Sequence, residues 1–163
     1  MPNHQMLIEV FHEAGTSLSK TYRRAWGERR VDVSVWHCAM VSSTRSNNRG
    51  VEFTLKGGPS QVWEARFWFT PRALFRLVSF AKACGITAEM ARSYDIWSLA
   101  SHLTLLHREL AIAIVPGGKR YEVVNWWPIG EIEVDPRWPL NVGGFAVSNR
   151  STGSKNIPGL GSE

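Results

Sequence analysis

The sequence predicts a mainly β domain with a helical insertion, an α+β fold. Three observations carry this. Three alternating segments, at 31–42, 51–56 and 61–69, are joined by short polar connections. Apolar residues at helical spacing then fill 71–107. Two further strands at 109–115 and 121–127 flank Pro116-Gly117-Gly118-Lys119, a hairpin turn. Five strands with helix between the third and fourth is the order of an OB-like five-stranded barrel, a small sheet covered by helices on one side being the competing architecture.

The segment the others depend on is Gln61–Gly85. Trp63, Ala65, Phe67 and Phe69 fall on one side of a strand; Val62, Glu64, Arg66 and Trp68 fall on the other. Thr70-Pro71 ends it. Thr70 can cap a helix and Pro71 can occupy its first position without losing a hydrogen bond. Leu74, Leu77, Val78, Ala81 and Cys84 make a stripe with Phe75 beside it, while Arg72, Arg76 and Lys82 are expected in water. Gly85 suits the left-handed position that ends a helix.

The other elements follow in chain order. Residues 1–30 form an N-terminal segment. Its Leu7–His12 run can be a strand or a helical turn, and Lys20–Arg30 carries five basic residues around Tyr22 and Trp26, either a solvated linker or an arm for a phosphate backbone. From Val31 to Ser42 the alternation is strict, placing Val31, Val33, Val35, His37, Ala39 and Val41 on one face. His37 therefore reads as a core histidine. A polar loop with Arg45 and Arg49 leads to Val51, Phe53 and Leu55, and Gly57–Ser60 turns the chain back. Thr87 is a helix cap, and Ile96, Leu99, Leu103 and Leu106 continue a helical stripe. Leu110–Val115 is apolar on both faces. The domain is expected to span 31–138, with a flexible Gly/Ser/Asn-rich tail at 139–163.

The net charge of +5 is uneven. Met1–Ala83 holds 12 Lys and Arg against 6 Asp and Glu; Cys84–Glu163 holds 7 against 8. A basic half suits an anionic partner. Cys38 and Cys84 lie in apolar patterns and read as buried free thiols in a reducing compartment. No secretory signal or membrane-spanning run is visible, which places the protein in the cytosol, the host's if it is viral.

Motifs for catalysis are missing. His12-Glu13 has no second histidine four residues on, no cysteine pair has zinc spacing, and neither a phosphate loop nor a nucleophile elbow occurs. Asp32, Glu52 and Glu64 lie on three successive strands and permit a metal-nuclease site, although salt-bridged surface acids are the commoner explanation. Otherwise no cofactor or metal is expected.

What the sequence does hold is aromatic residues interleaved with cations. Unpaired nucleic acid is bound by cations along its phosphates and by flat rings stacked on its bases. The candidates are Trp36, Arg66, Trp68, Arg120, Tyr121 and Trp126 on strands, Lys56 beside them, and Arg45, Arg49 and Lys119 as loop fingers. Filling a core is the ordinary use of tryptophan, yet Arg66 and Trp68 share the face opposite Trp63, Phe67 and Phe69.

The succession VDVSVWHCAMVSSTRSNNRGVEFTL, FWFTPRALFRLVSFAKACGIT and ELAIAIVPGGKRYEVVNWWP, over about residues 31–128, resembles phage-encoded single-stranded-DNA-binding proteins, specifically a group filed as domain of unknown function 669. The helix ending Ala83-Cys84-Gly85 and the hairpin ending Asn125-Trp126 carry the resemblance. It implies an OB-fold, sequence-nonspecific binder of single-stranded DNA (RNA being open), serving phage replication or recombination, with proteins of those processes and further copies of itself as partners. Such proteins often end in an acidic tail; this chain ends with Arg150, Lys155 and Glu163. A protein-interaction module, such as a virion component or an inhibitor of a host enzyme, is the alternative, its exposed tryptophans then acting as interface anchors.

Overall fold

In the computed structural model, residues 3–18, 22–58 and 60–135 are described. The tail expected at 139–163 lies outside them, as does Lys20 of the basic segment. The elements are α1 (His4–Glu13), β1 (Arg29–Ser42), β2 (Arg49–Gly58), β3 (Gln61–Trp68), α2 (Leu74–Ala83), α3 (Ala88–Ala91), α4 (Ile96–Leu105), β4 (Glu109–Pro116) and β5 (Tyr121–Pro128).

The five strands form one antiparallel sheet in the order β3-β2-β1-β4-β5. The long β1 serves two neighbours: Arg29–Ser34 pair with β4 and Ser34–Ser42 with β2. The sheet curls into a half-barrel. Its edge strands, β3 and β5, run in the same direction and face each other, with the rings of Phe67 and Trp126 5.4 Å apart across the seam.

Inside the curl lie Val33, Val35, Val51, Phe53, Leu55, Trp63, Ala65 and Phe67 of the first three strands, and Leu110, Ile112 and Ile114 of β4. The three-strand meander and the inward face of β3 are therefore as the alternation predicts. Leu74, Leu77, Val78 and Phe80 of α2 cover this core, and Phe80 stacks on Phe53 at 5.2 Å. Leu7 and Phe11 of α1 join the same core, so the segment before residue 30 packs on the domain.

Three local expectations need correction. The strict alternation of β1 breaks at a bulge between Val35 and His37, where Val35 pairs with Leu55 but His37 with Thr54. One extra residue exchanges the two faces. His37 consequently points outward and is exposed. Second, α2 begins at Leu74: Thr70–Ala73 form a turn in which the Thr70 carbonyl accepts from Ala73 and Leu74, and its hydroxyl accepts from Ala73 at 3.2 Å. Third, Lys82 is not solvated. Its Nζ donates to the carbonyls of Phe11 at 2.9 Å and Ala14 at 2.5 Å, tying off the C-terminal end of α1. Gly85 has φ +92°, the left-handed helix stop expected.

Both faces of β4 are buried, as its composition predicts. On the outer face Ala111 and Ala113 are buried, and the Trp127 ring, whose residue pairs with Ala111, is covered in turn. There Arg30 lies 4.8 Å over the ring of Trp127, and Tyr22 meets the same ring edge-on at 5.8 Å. Among the described residues, no helix is long and apolar enough to cross a membrane.

Candidate nucleic-acid interface

The outer face of β1, β2 and β3 gathers four of the ten candidates, Trp36, Lys56, Arg66 and Trp68. At the far end of β2, Gly50 pairs with Trp68. A side chain on Gly50 would put its Cβ 2.9 Å from Trp68 Cε3, so the missing side chain lets the indole settle over the sheet. Arg66 holds its guanidinium 5.9 Å from that ring and bonds Glu52 at 2.7 Å. Arg49 and Arg45 are exposed on and beyond the start of β2, in the loop where the Ser43 hydroxyl accepts from Arg45 and Ser46.

Trp36 lies toward the other end. It is 45% exposed, with the Lys56 ammonium 4.8 Å over its ring. Its Nε1 donates to the Ser34 hydroxyl at 2.8 Å. His107 flanks it at 4.2 Å, and its Nδ1 donates to the Val35 carbonyl at 3.2 Å; a carbonyl can only accept, so that nitrogen carries the proton. His107 takes φ +46°, a left-handed conformation rare outside glycine, and this bond and stack hold it there. Gly50 and Lys56 are six residue steps apart along β2, about 20 Å at strand spacing. The two indoles therefore mark the ends of one strip.

The seam between β3 and β5 holds a cleft of about 670 Å³. Its charged lining is balanced: Arg66, Arg76 and Arg120 against Glu52, Glu64 and Glu122. Arg120, whose side chain is 76% exposed, reaches across to Glu64 at 2.9 Å. Tyr121 is half-buried at the cleft wall, and Lys119 is exposed in the hairpin loop.

Trp126 is a correction. Its outward placement is not what the structure shows: it is fully buried between Phe67 and Phe80, and its Nε1 donates to the Ser79 hydroxyl at 2.9 Å. A second bulge, between Ala113 and Ile114, shifts the parity of β5 and turns the ring inward. Arg76 then lies 5.8 Å over it from the cleft side.

The basic segment is also not a free arm. The buried Glu28 carboxylate accepts from Tyr22 Oη at 2.5 Å, Ala25 N at 3.0 Å and Arg30 Nε at 2.8 Å. Burial pushes this carboxyl up, but those bonds and the Arg30 charge outweigh it and hold it below the usual range. Burial and the same carboxylate push the Tyr22 phenol up to about 12. Arg24 bonds Asp135 at 2.6 Å, and that bond holds Asp135 low. Glu28 is the residue sequence reasoning missed; its only signal is a lone acid inside a basic run.

The acidic trio is not assembled. Glu52 and Glu64 are held by Arg66 and Arg120, and the described residues contain no group of three or more His, Cys, Asp or Glu able to hold a metal. Asp32 is raised by burial and by the nearby Glu109 charge. Cys84 is buried, its thiol pushed well up by desolvation, and Cys38 is half-buried. None of the protein families, curated proteins or solved structures compared with this chain matches it.

Proposed function

We propose that this chain binds single-stranded nucleic acid, DNA in the first instance, without sequence preference and without chemistry of its own. The observation that carries the reading is the outer strip of β1–β3, where two outward indoles, Trp36 and Trp68, each have a cation over the ring. Such rings take bases, and Lys56, Arg66, Arg45 and Arg49 take phosphates. The strand order supports it too. Read round the curl, β1-β2-β3 followed by β5 and β4 is consistent with the order of an OB barrel, and the helices α2–α4 fall between β3 and β4 in the chain, as such a fold requires. A place in phage replication or recombination rests on the resemblance of residues 31–128 alone. Titrating oligo-dT and blunt duplex against the Trp36→Ala, Trp68→Ala and Arg66→Gln variants tests it. The first two variants should bind dT about five- to a hundred-fold more weakly, and wild type should bind duplex poorly.

A second reading, a protein-interaction module, has its own support. The cleft arginines are already matched by glutamates, and Leu105, Leu106 and Ile129 are exposed. One protein co-purifying in fixed ratio, with no shift of an oligonucleotide, would favour it.

A further inference from the structure

Trp26 is 92% exposed, more than any other large apolar side chain described. It stands at the second position of the turn Ala25–Glu28, closed by the bond from Glu28 N to the Ala25 carbonyl at 3.1 Å, with Gly27 at φ +75° in the left-handed third position. The turn is built from beneath. The buried Glu28 carboxylate takes Ala25 N, Tyr22 and Arg30, and Arg24 donates to the Glu28 carbonyl at 3.1 Å. None of these bonds uses the indole. The fold buries almost none of this ring, which leaves its faces open to a ligand.

The surroundings indicate what would cover it. A side chain on Gly27 would come 3.1 Å from Pro116 Cγ, so the turn sits at the root of the β4–β5 loop that carries Lys119 and Arg120. Glu28 is matched by Arg30 and Asp135 by Arg24. Arg23 and Lys119 are exposed, and neither makes an ion pair among the described residues. A protein anchor is normally ringed by contacts that exclude water. Here the turn itself supplies only Ala25 and Gly27 beside the ring, with Pro116 under Gly27, little apolar area. A nucleobase needs only one flat face and adjacent positive charge.

We infer that Trp26 is a base-stacking finger for an unpaired nucleotide, with Arg23 and Lys119 on the flanking phosphates. This rests on the proposed binding of single-stranded nucleic acid and adds a contact beyond the sheet. The test combines dT affinity, salt dependence and photo-crosslinking to a dT oligomer carrying 5-iododeoxyuridine. Trp26→Ala should keep the wild-type melting temperature, weaken dT binding about five- to a hundred-fold and leave the salt slope unchanged. Trp26→Phe should recover most of the affinity, and Arg23→Gln should make the log–log salt slope shallower by about 0.7. The crosslink should map to the peptide holding residue 26. If Trp26→Ala binds dT like wild type while Trp68→Ala does not, the finger is overturned and the proposed function stands. If wild type does not bind dT, both fall. A change of oligomeric mass in Trp26→Ala, with dT affinity unaltered, would assign the ring to contact between copies and overturn the inference.

Discussion

Trp68 occupies the space that a side chain on Gly50 would need. A Cβ there would stand 2.9 Å from the indole and 2.3 Å from the Phe67 carbonyl oxygen of the neighbouring strand. The second contact is with backbone and cannot be relieved by a rotamer change. Gly50→Ala should therefore destabilise the domain by about 1–3 kcal/mol, the ordinary cost of overpacking, and weaken dT binding by disturbing Trp68. Urea denaturation and an oligonucleotide titration of one variant read both effects.

Trp126 belongs to the core and its indole N–H has one partner, Ser79. Ser79→Ala leaves that donor buried and unpaired, which costs about 1–3 kcal/mol. Trp126→Ala should cost about 3–5 kcal/mol through the cavity it opens. Under folding conditions Ser79→Ala should bind dT as wild type does, because nothing on the outer strip has moved.

Lys82 holds the last carbonyls of α1 with a charged donor. Lys82→Met keeps the aliphatic stem but removes both bonds, a loss of about 1.5–3 kcal/mol for hydrogen bonds to a charged group. Amide exchange should accelerate across His4–Glu13 more than across β1–β3.

His102 gives a pH dependence of known sign. Burial and the adjacent Arg108 charge both lower its pKa. Arg108 can only donate, so Nε2 accepts at 3.3 Å and the proton sits on Nδ1, toward Tyr94 Oη at 2.8 Å. The folded state thus binds this proton less readily than the unfolded chain does. The stabilising contribution is fully present above the unfolded value of about 6.5 and is lost progressively as pH falls from there through the lowered folded value. Melting temperatures between pH 7.5 and 5.5 should decline in wild type, and His102→Gln should lose that part of the decline.

Much of this was legible in the residues themselves. Alternation placed Val51, Phe53, Leu55, Trp63, Ala65 and Phe67 inside, and the five-residue apolar run of β4 read correctly as buried twice. The two misplaced faces have a common cause. A β-bulge is a backbone event with no required residue type, yet it exchanges the faces of everything after it. The bulge after Val35 moved His37 out, and the one beside Ala113 moved Trp126 in. Counting basic residues over Lys20–Arg30 gave the charge of that segment correctly. It could not show that Glu28, Asp135 and the Trp127 ring would engage Arg30 and Arg24. Glu28 is close in sequence to Arg30, but Asp135 stands 111 residues from Arg24 and only the fold brings the two together.

The strip of paired rings and cations is best tested by titrating the protein with oligo-dT while following tryptophan fluorescence at several salt concentrations. Stacked indoles should be quenched, and log affinity should fall linearly with log salt at about −0.7 per phosphate contacted. Unquenched fluorescence, an affinity indifferent to salt, or tighter binding to blunt duplex would contradict the account.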